Sequence, residues 1–224
     1  MDVYLKVMRQ DNSSESFTLE HLRSISSNMI FAGTDTVSNT LYWGMKLMIL
    51  HPEIQDRIYR EIEEVVGKER LPSNAHRNNM PYTEATLMEL QRFANIVPLS
   101  IFHSNPVETT FHGYTIPKRS IILANLWTVH RDPLEWPDPD KFVPSRFLDH
   151  DGKVVQKKGY IPFGIGKRAC LGIPLAKIEL FLFFTTILQS YRITATPQEN
   201  EFCLNIQNTA SVVKPYKVIA IPRM

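Results

Sequence analysis

Phe163-Gly164-Ile165-Gly166-Lys167-Arg168-Ala169-Cys170-Leu171-Gly172 is the densest constellation in the chain, set between a proline-rich coil and a strongly apolar run that opens at Pro174. Glycines at 164, 166 and 172 permit left-handed backbone and close approach to a bulky group. A single thiol sits among them. Cys170 precedes a helix predicted to begin near Pro174, so the positive helix end faces its sulfur, favours thiolate over thiol and makes it a candidate metal ligand. The alternative is a small buried hydrophobe, the usual fate of a lone cysteine, against which stand three glycines and two cations. Gly164 to Ala169 also fits the dinucleotide pattern G-x-G-x-x-G/A. That reading wants a buried strand before it and a carboxylate about twenty residues after it; Pro162 interrupts the first, and Thr185 to Ser190 lacks the second. Zinc is unsupported, with no C-x-x-C pair and no H-E-x-x-H.

Outward from this stretch, the chain of 224 residues is 43% hydrophobic and 21% charged, the composition of an ordinary globular chain with a buried core. A net charge of +2 gives no general drive toward nucleic acid. Two cysteines, Cys170 and Cys203, are too few for a disulfide scaffold and favour a reducing compartment. Met1 to Gln10 mixes Asp2, Lys6 and Arg9 with apolar residues, unlike a signal peptide. The longest apolar run, Leu180 to Leu188, is roughly half of what a membrane span needs, so no crossing segment is expected.

Apolar residues at three- and four-residue spacing from Leu22 to Met48 predict a long helix over Thr18 to Leu50, capped at Thr18 and stopped at His51-Pro52. Ala32-Gly33-Thr34-Asp35-Thr36 places a glycine, hydroxyls and a carboxylate in its middle, against helix propensity and burial, as functional sites do. Pro52 to Val66 and Tyr82 to Phe93 read as two further helices, Ile96 to Ala124 as short strands and hairpins, and Asp132 to Gly166 as coil rich in proline. Pro174 to Leu188 reads as a helix hydrophobic nearly all round and therefore buried, and Phe202 to Ile221 as two strands. Glu89 and Arg92 share one helical face, and Arg146 in Pro144-Ser145-Arg146-Phe147 is a second cation able to reach the same carboxylate; taken alone, these are surface ion pairs of little worth.

Together and in this order the motifs resemble the C-terminal half of a cytochrome P450, a haem-thiolate monooxygenase of the microsomal clan that contains drug, fatty-acid and steroid hydroxylases. Ala32 to Thr36 is similar to the family's oxygen-activation motif, Glu89 and Arg92 to its E-x-x-R pair, Arg146 to the arginine that completes this structural triad, and Phe163 to Gly172 to F-x-x-G-x-R-x-C-x-G without a gap. The implied fold is mainly α with small β-sheets, one partial domain over residues 1–224. The resemblance implies haem as cofactor with Cys170 as axial ligand; Arg168 and His103 for the propionates; Phe163, Gly164, Gly172 and Ala32 against the porphyrin; and Thr36 and Asp35 as catalytic residues for proton delivery. It places Asn28, Phe31, Val97, Ile101, Phe102, Ala210 and Ser211 in the walls of a pocket for a lipophilic substrate. It implies electrons from NADPH through NADPH-cytochrome P450 reductase, with cytochrome b5 as a further partner, the basic cluster Lys153, Lys157, Lys158 and Lys167 as a docking surface, and the cytoplasmic face of the endoplasmic reticulum membrane.

The sequence departs from the family at Ser145, where Glu is commoner, and at Val37, where Thr or Ser is usual. It is also roughly half the length of a complete member, a size beyond the usual single domain. The membrane anchor and the N-terminal half of the fold are expected to be absent from this chain, and Met1 to Leu5 resembles an internal stretch of the family. The alternative to a monooxygenase is then a truncated, non-catalytic product that does not hold haem stably.

Overall fold

The computed structural model of the chain describes residues 2–10, 17–196 and 215–223. After helix α1 (Asp2–Gln10), the long helix α2 runs over Leu19–Leu50. Thr18 caps it, its hydroxyl accepting from the His21 N–H at 3.1 Å. His51 closes it by donating its N–H to the Leu47 carbonyl, and Pro52 starts α3 (Pro52–Val65) at a position where a missing N–H costs nothing. Pro81 does the same for α4 (Pro81–Ala94), which ends on Asn95 in a left-handed conformation, φ 40°.

Among the described residues, three two-stranded antiparallel sheets decorate this helical frame. β1 (His103–Ser104) pairs with β4 (Ile121–Ile122), enclosing the hairpin of β2 (Thr109–Phe111) and β3 (Tyr114–Ile116). A six-residue helix α5 (Leu126–Arg131) leads into the proline-rich coil, and α6 (Ile173–Ser190) leads into β5 (Tyr191–Ala195), which pairs with β6 (Val218–Pro222).

The main core joins the C-terminal half of α2 (Val37, Trp43, Leu47, Met48) to Ile58 and Ile62 of α3, Leu87 and Leu90 of α4, and Leu180, Phe181, Phe184 and Leu188 of α6. Gly44 marks the crossing: a Cβ there would lie 3.0 Å from Leu90 Cδ2 and 3.1 Å from Phe184 Cε2. The first buried residue of α2 is Val37, so the turns before it rest on little. A second cluster of Ala85, Met88, Trp136 and Phe147 fastens the coil to the far side of α4.

Two expectations need correction. The apolar helix is buried on one face only: Phe181 and Phe184 are inaccessible, whereas Phe183 is 54% and Leu175 43% exposed. Its outer face forms an open groove of about 520 Å³ with Met29, Ile30, Val37 and Leu41 of α2, because no described element lies over that side. α6 is itself eighteen residues long and, among the described helices, it alone is long and apolar enough to cross a membrane; its packing on α2, α3 and α4 accounts for part of that apolarity. Of the two tail strands, β6 is observed at Val218–Pro222, and the rest of that segment lies outside the described residues. β6 pairs with β5, where Gln55 of α3 both accepts from the Ile193 N–H at 2.8 Å and donates to its carbonyl at 3.0 Å.

Candidate functional site

The site grows from a buried ion pair. Arg92 on α4 donates Nε to Glu89 Oε2 at 2.7 Å and Nη2 to Glu89 Oε1 at 2.8 Å, with both side chains wholly inaccessible. Its remaining N–H groups go to the carbonyls of His130 at 2.7 Å, Pro139 at 2.9 Å and Lys141 at 3.3 Å, so all five donors of the guanidinium are used. Arg146, in the short 3-10 helix Pro144–Phe147, donates Nε to Glu89 Oε1 at 3.3 Å and its other nitrogens to the carbonyls of Pro137, Asp138 and Lys141. The Val143 N–H completes the carboxylate at 2.9 Å. Proline-rich coil cannot satisfy its own carbonyls; here two arginines accept that task. The surface ion pair is thereby overturned in favour of a buried Glu89–Arg92 pair, joined by the half-buried Arg146, that organises the coil.

The coil delivers the glycine-rich loop. Its base is set where the Ile161 N–H donates to His130 Nε2 at 3.1 Å and the Gly164 N–H to the Ile161 carbonyl at 3.0 Å. Gly164 and Gly166 are left-handed, at φ 71° and 77°, as expected. Gly172 is not, at φ −84°, and a Cβ there would meet Cys170 Sγ at an ordinary 3.7 Å. The loop closes on itself where the Cys170 N–H reaches the Phe163 carbonyl at 2.9 Å. Cys170 is a free and exposed thiol three residues ahead of α6, so it is not a core hydrophobe. Arg168 is exposed and has no hydrogen-bond or ion-pair partner among the described residues. Ile165 and Leu171 beside it are 73% and 80% exposed.

No group of three or more His, Cys, Asp or Glu able to hold a metal occurs among the described residues. A metal at Cys170 would therefore have to bring its other ligands with it, as a macrocycle does, and its apolar faces would meet the exposed Ile165 and Leu171. The donor set fits haem.

On α2, Phe31, Ala32 and Asp35 are exposed and Thr36 half-buried. Thr36 Oγ1 donates to the Ala32 carbonyl one turn earlier at 2.8 Å. Ser38, Asn39 and Thr40 bond back in the same way to residues 34, 35 and 36, and the helix continues unbroken through them. The groove beside α6 brings Gly33 and Thr34 to Leu175, five residues beyond Cys170. Among the expected pocket residues, Asn28, Ile101 and Phe102 are exposed and Val97 half-buried; His103 is half-buried on β1 opposite Ile122. Ala210 and Ser211, like Cys203, lie outside the described residues. Sequence reasoning overlooked His130, Gln91 and Tyr160, which join triad to loop: the Tyr160 hydroxyl donates to Gln91 Oε1 at 2.6 Å, and burial holds its pKa above the usual value. For His130 the one signal is the run His130-Arg131-Asp132-Pro133.

The family model described as Cytochrome P450 matches residues 1–221. The chain belongs to the cytochrome P450 family. It is 48% identical over 204 residues to human Cytochrome P450 2U1, covering 90% of this chain and 37% of that protein. Human Cytochrome P450 2J2 is 45% identical over 203 residues, covering 90% and 40%, and human Cytochrome P450 2D6 is 40% identical over 213 residues, covering 95% and 43%. The chain thus spans about two fifths of the length of these P450 relatives, and its helical frame with small antiparallel sheets is a part of the P450 fold.

Proposed function

We propose that this chain is the haem-binding part of a monooxygenase that inserts one atom of dioxygen into a lipophilic substrate. The observation that carries it is the exposed thiol of Cys170, held at the tip of a loop whose base is tied to the Glu89–Arg92–Arg146 triad. These three residues are structural, and residues 1–224 form a single partial domain.

Haem, when bound, supplies the binding and reductive activation of dioxygen. Cys170 directs its thiolate charge at the iron. Arg168 and His103 receive the propionates, for which the unpartnered guanidinium is suited. Phe163, whose carbonyl holds the Cys170 N–H, packs beside the sulfur, and Gly164, Gly172 and Ala32 allow the ring to approach. Thr36 would turn its Oγ1 hydroxyl from the Ala32 carbonyl toward the haem pocket, and the exposed Asp35 beside it would hold a proton to replenish it. The exposed apolar side chains of Phe31, Ile101 and Phe102, with Val97 and Asn28, meet the substrate together with Ala210 and Ser211. Electrons come from NADPH through NADPH-cytochrome P450 reductase, with cytochrome b5 as a second donor; Lys153, Lys157, Lys158 and Lys167 are all exposed and offer an acidic partner its docking charge. The complete enzyme sits at the cytoplasmic face of the endoplasmic reticulum membrane.

The test is the absorption spectrum of the chain mixed with haem, reduced and exposed to carbon monoxide, beside Cys170→Ser. A strongly red-shifted Soret band that the substitution abolishes is expected. A second reading is favoured by the exposure of Phe31, Ile101, Phe102 and Leu171: a chain that does not hold haem by itself. It predicts no haem uptake, or the same unshifted band from both proteins.

A further inference from the structure

His130 is wholly buried at the end of α5, between the triad and the thiol loop. Its carbonyl accepts from Arg92 Nη1 at 2.7 Å, and its ring Nε2 accepts the Ile161 N–H at 3.1 Å. The ring packs on Tyr160, centroids 6.4 Å apart, and Tyr160 is in turn bonded to Gln91 on α4. Nδ1 is buried and finds no partner among the described residues. If Nε2 accepts, the neutral ring carries its proton on Nδ1, so a donor is buried unpaired, an arrangement with a cost. A phenyl ring would fill the same space without that cost; what only the imidazole supplies is the acceptor for Ile161.

We propose that His130 is a positioning residue for the Cys170 loop, its carbonyl held by Arg92 and its Nε2 holding the Ile161 N–H, so that the buried Glu89–Arg92 pair sets where the loop begins. From there the path runs through the Ile161 carbonyl to the Gly164 N–H and through the Phe163 carbonyl to the Cys170 N–H. Triad and thiol are thus one hydrogen-bonded unit, although they are far apart in sequence. A neutral ring is required, in keeping with a pKa lowered to about 4 by burial and by the charges of Arg92 and Arg131.

The inference rests on reading this loop as the haem-thiolate loop, yet its test needs no haem. In the intact chain labelled with 15N, an N–H···N scalar coupling between Ile161 N and His130 Nε2 is expected, with ring shifts showing Nδ1 protonated; a ring protonated on Nε2 overturns the proposal. In His130→Phe, amide exchange at Ile161 and Gly164 should quicken about tenfold, the equivalent of one hydrogen bond, while α4 keeps its protection. His130→Gln, whose Oε1 reaches as far as Nε2, should restore wild-type exchange. Unchanged exchange in His130→Phe, or equal loss of protection in α4, reduces His130 to core filling. Should haem uptake fail while the coupling is found, the tether stands and the haem reading falls.

Discussion

Arg92 shows what a single residue type decides. Five donors in a rigid plane meet two carboxylate oxygens and three coil carbonyls, which an ammonium with three donors cannot do. Arg92→Lys keeps the charge and leaves buried acceptors unpaired, so a loss of about 2–4 kcal/mol is expected. Urea unfolding followed by the fluorescence of Trp136, whose ring lies 5.3 Å from the guanidinium, measures it, and a loss below about 1 kcal/mol would mean that the fork geometry contributes nothing. His130 makes the second prediction at this scale. The groups facing it are Arg92 from α4, Arg131 from its own helix and the Tyr160 ring, and burial is the largest cause of its lowered pKa, about 4 against 6.5. The unfolded chain takes up a proton below pH 6.5 and the folded chain only near pH 4, so stability falls as pH drops through this window, by on the order of 3 kcal/mol at most. His130→Gln should flatten that slope in unfolding measured from pH 7 to 4; an unchanged slope assigns it to other groups.

Two glycines of one element, α2, behave oppositely. At Gly33 a Cβ would meet nothing within 4 Å, so Gly33→Ala should stabilise the chain by up to about 1 kcal/mol through helix propensity alone. At Gly44 the neighbours Leu90 and Phe184 are inaccessible and cannot withdraw, so Gly44→Val should destabilise by about 1–3 kcal/mol. Thermal unfolding of the pair checks both signs. Elements of this kind were legible wherever punctuation is strong: Thr18 and Pro52 start their helices where a cap and a proline predict, Pro81 opens one residue before the helix expected from Tyr82, and the loop glycines at 164 and 166 bend as expected. What escaped was set by neighbours. β5 offers only Ile193 as a buried position among Tyr191 to Ala195, and its partner β6 lies more than twenty residues away, so no local period reveals it. α5 is six residues long, too short for a period. The triad's residues were legible and its burial was not, since that depends on carbonyls contributed by a coil without a pattern.

At the scale of the whole molecule, apolar surface that periodicity assigns to a core is left open. Phe31 and Leu171 are 80% exposed, Ile101 77%, and the groove between α2 and α6 is lined by Ile30, Leu41, Leu175 and Phe183. Covering such side chains is worth about 1.5–3 kcal/mol each when complete, so the isolated chain has reason to associate with itself. α6 separates this tendency from stability, because its two opposite faces serve different ends. Phe181→Ser removes an inaccessible ring and should cost about 3–5 kcal/mol. Phe183→Ser, at a ring 54% exposed, should leave unfolding nearly unchanged while lowering the associated fraction seen by sedimentation velocity over a range of concentrations. Equal association in Phe183→Ser and the parent chain would exclude the groove as the contact and leave the other exposed apolar side chains, those around Cys170 among them. In that case haem should disperse the chain, since the group that covers those residues would compete with the second copy.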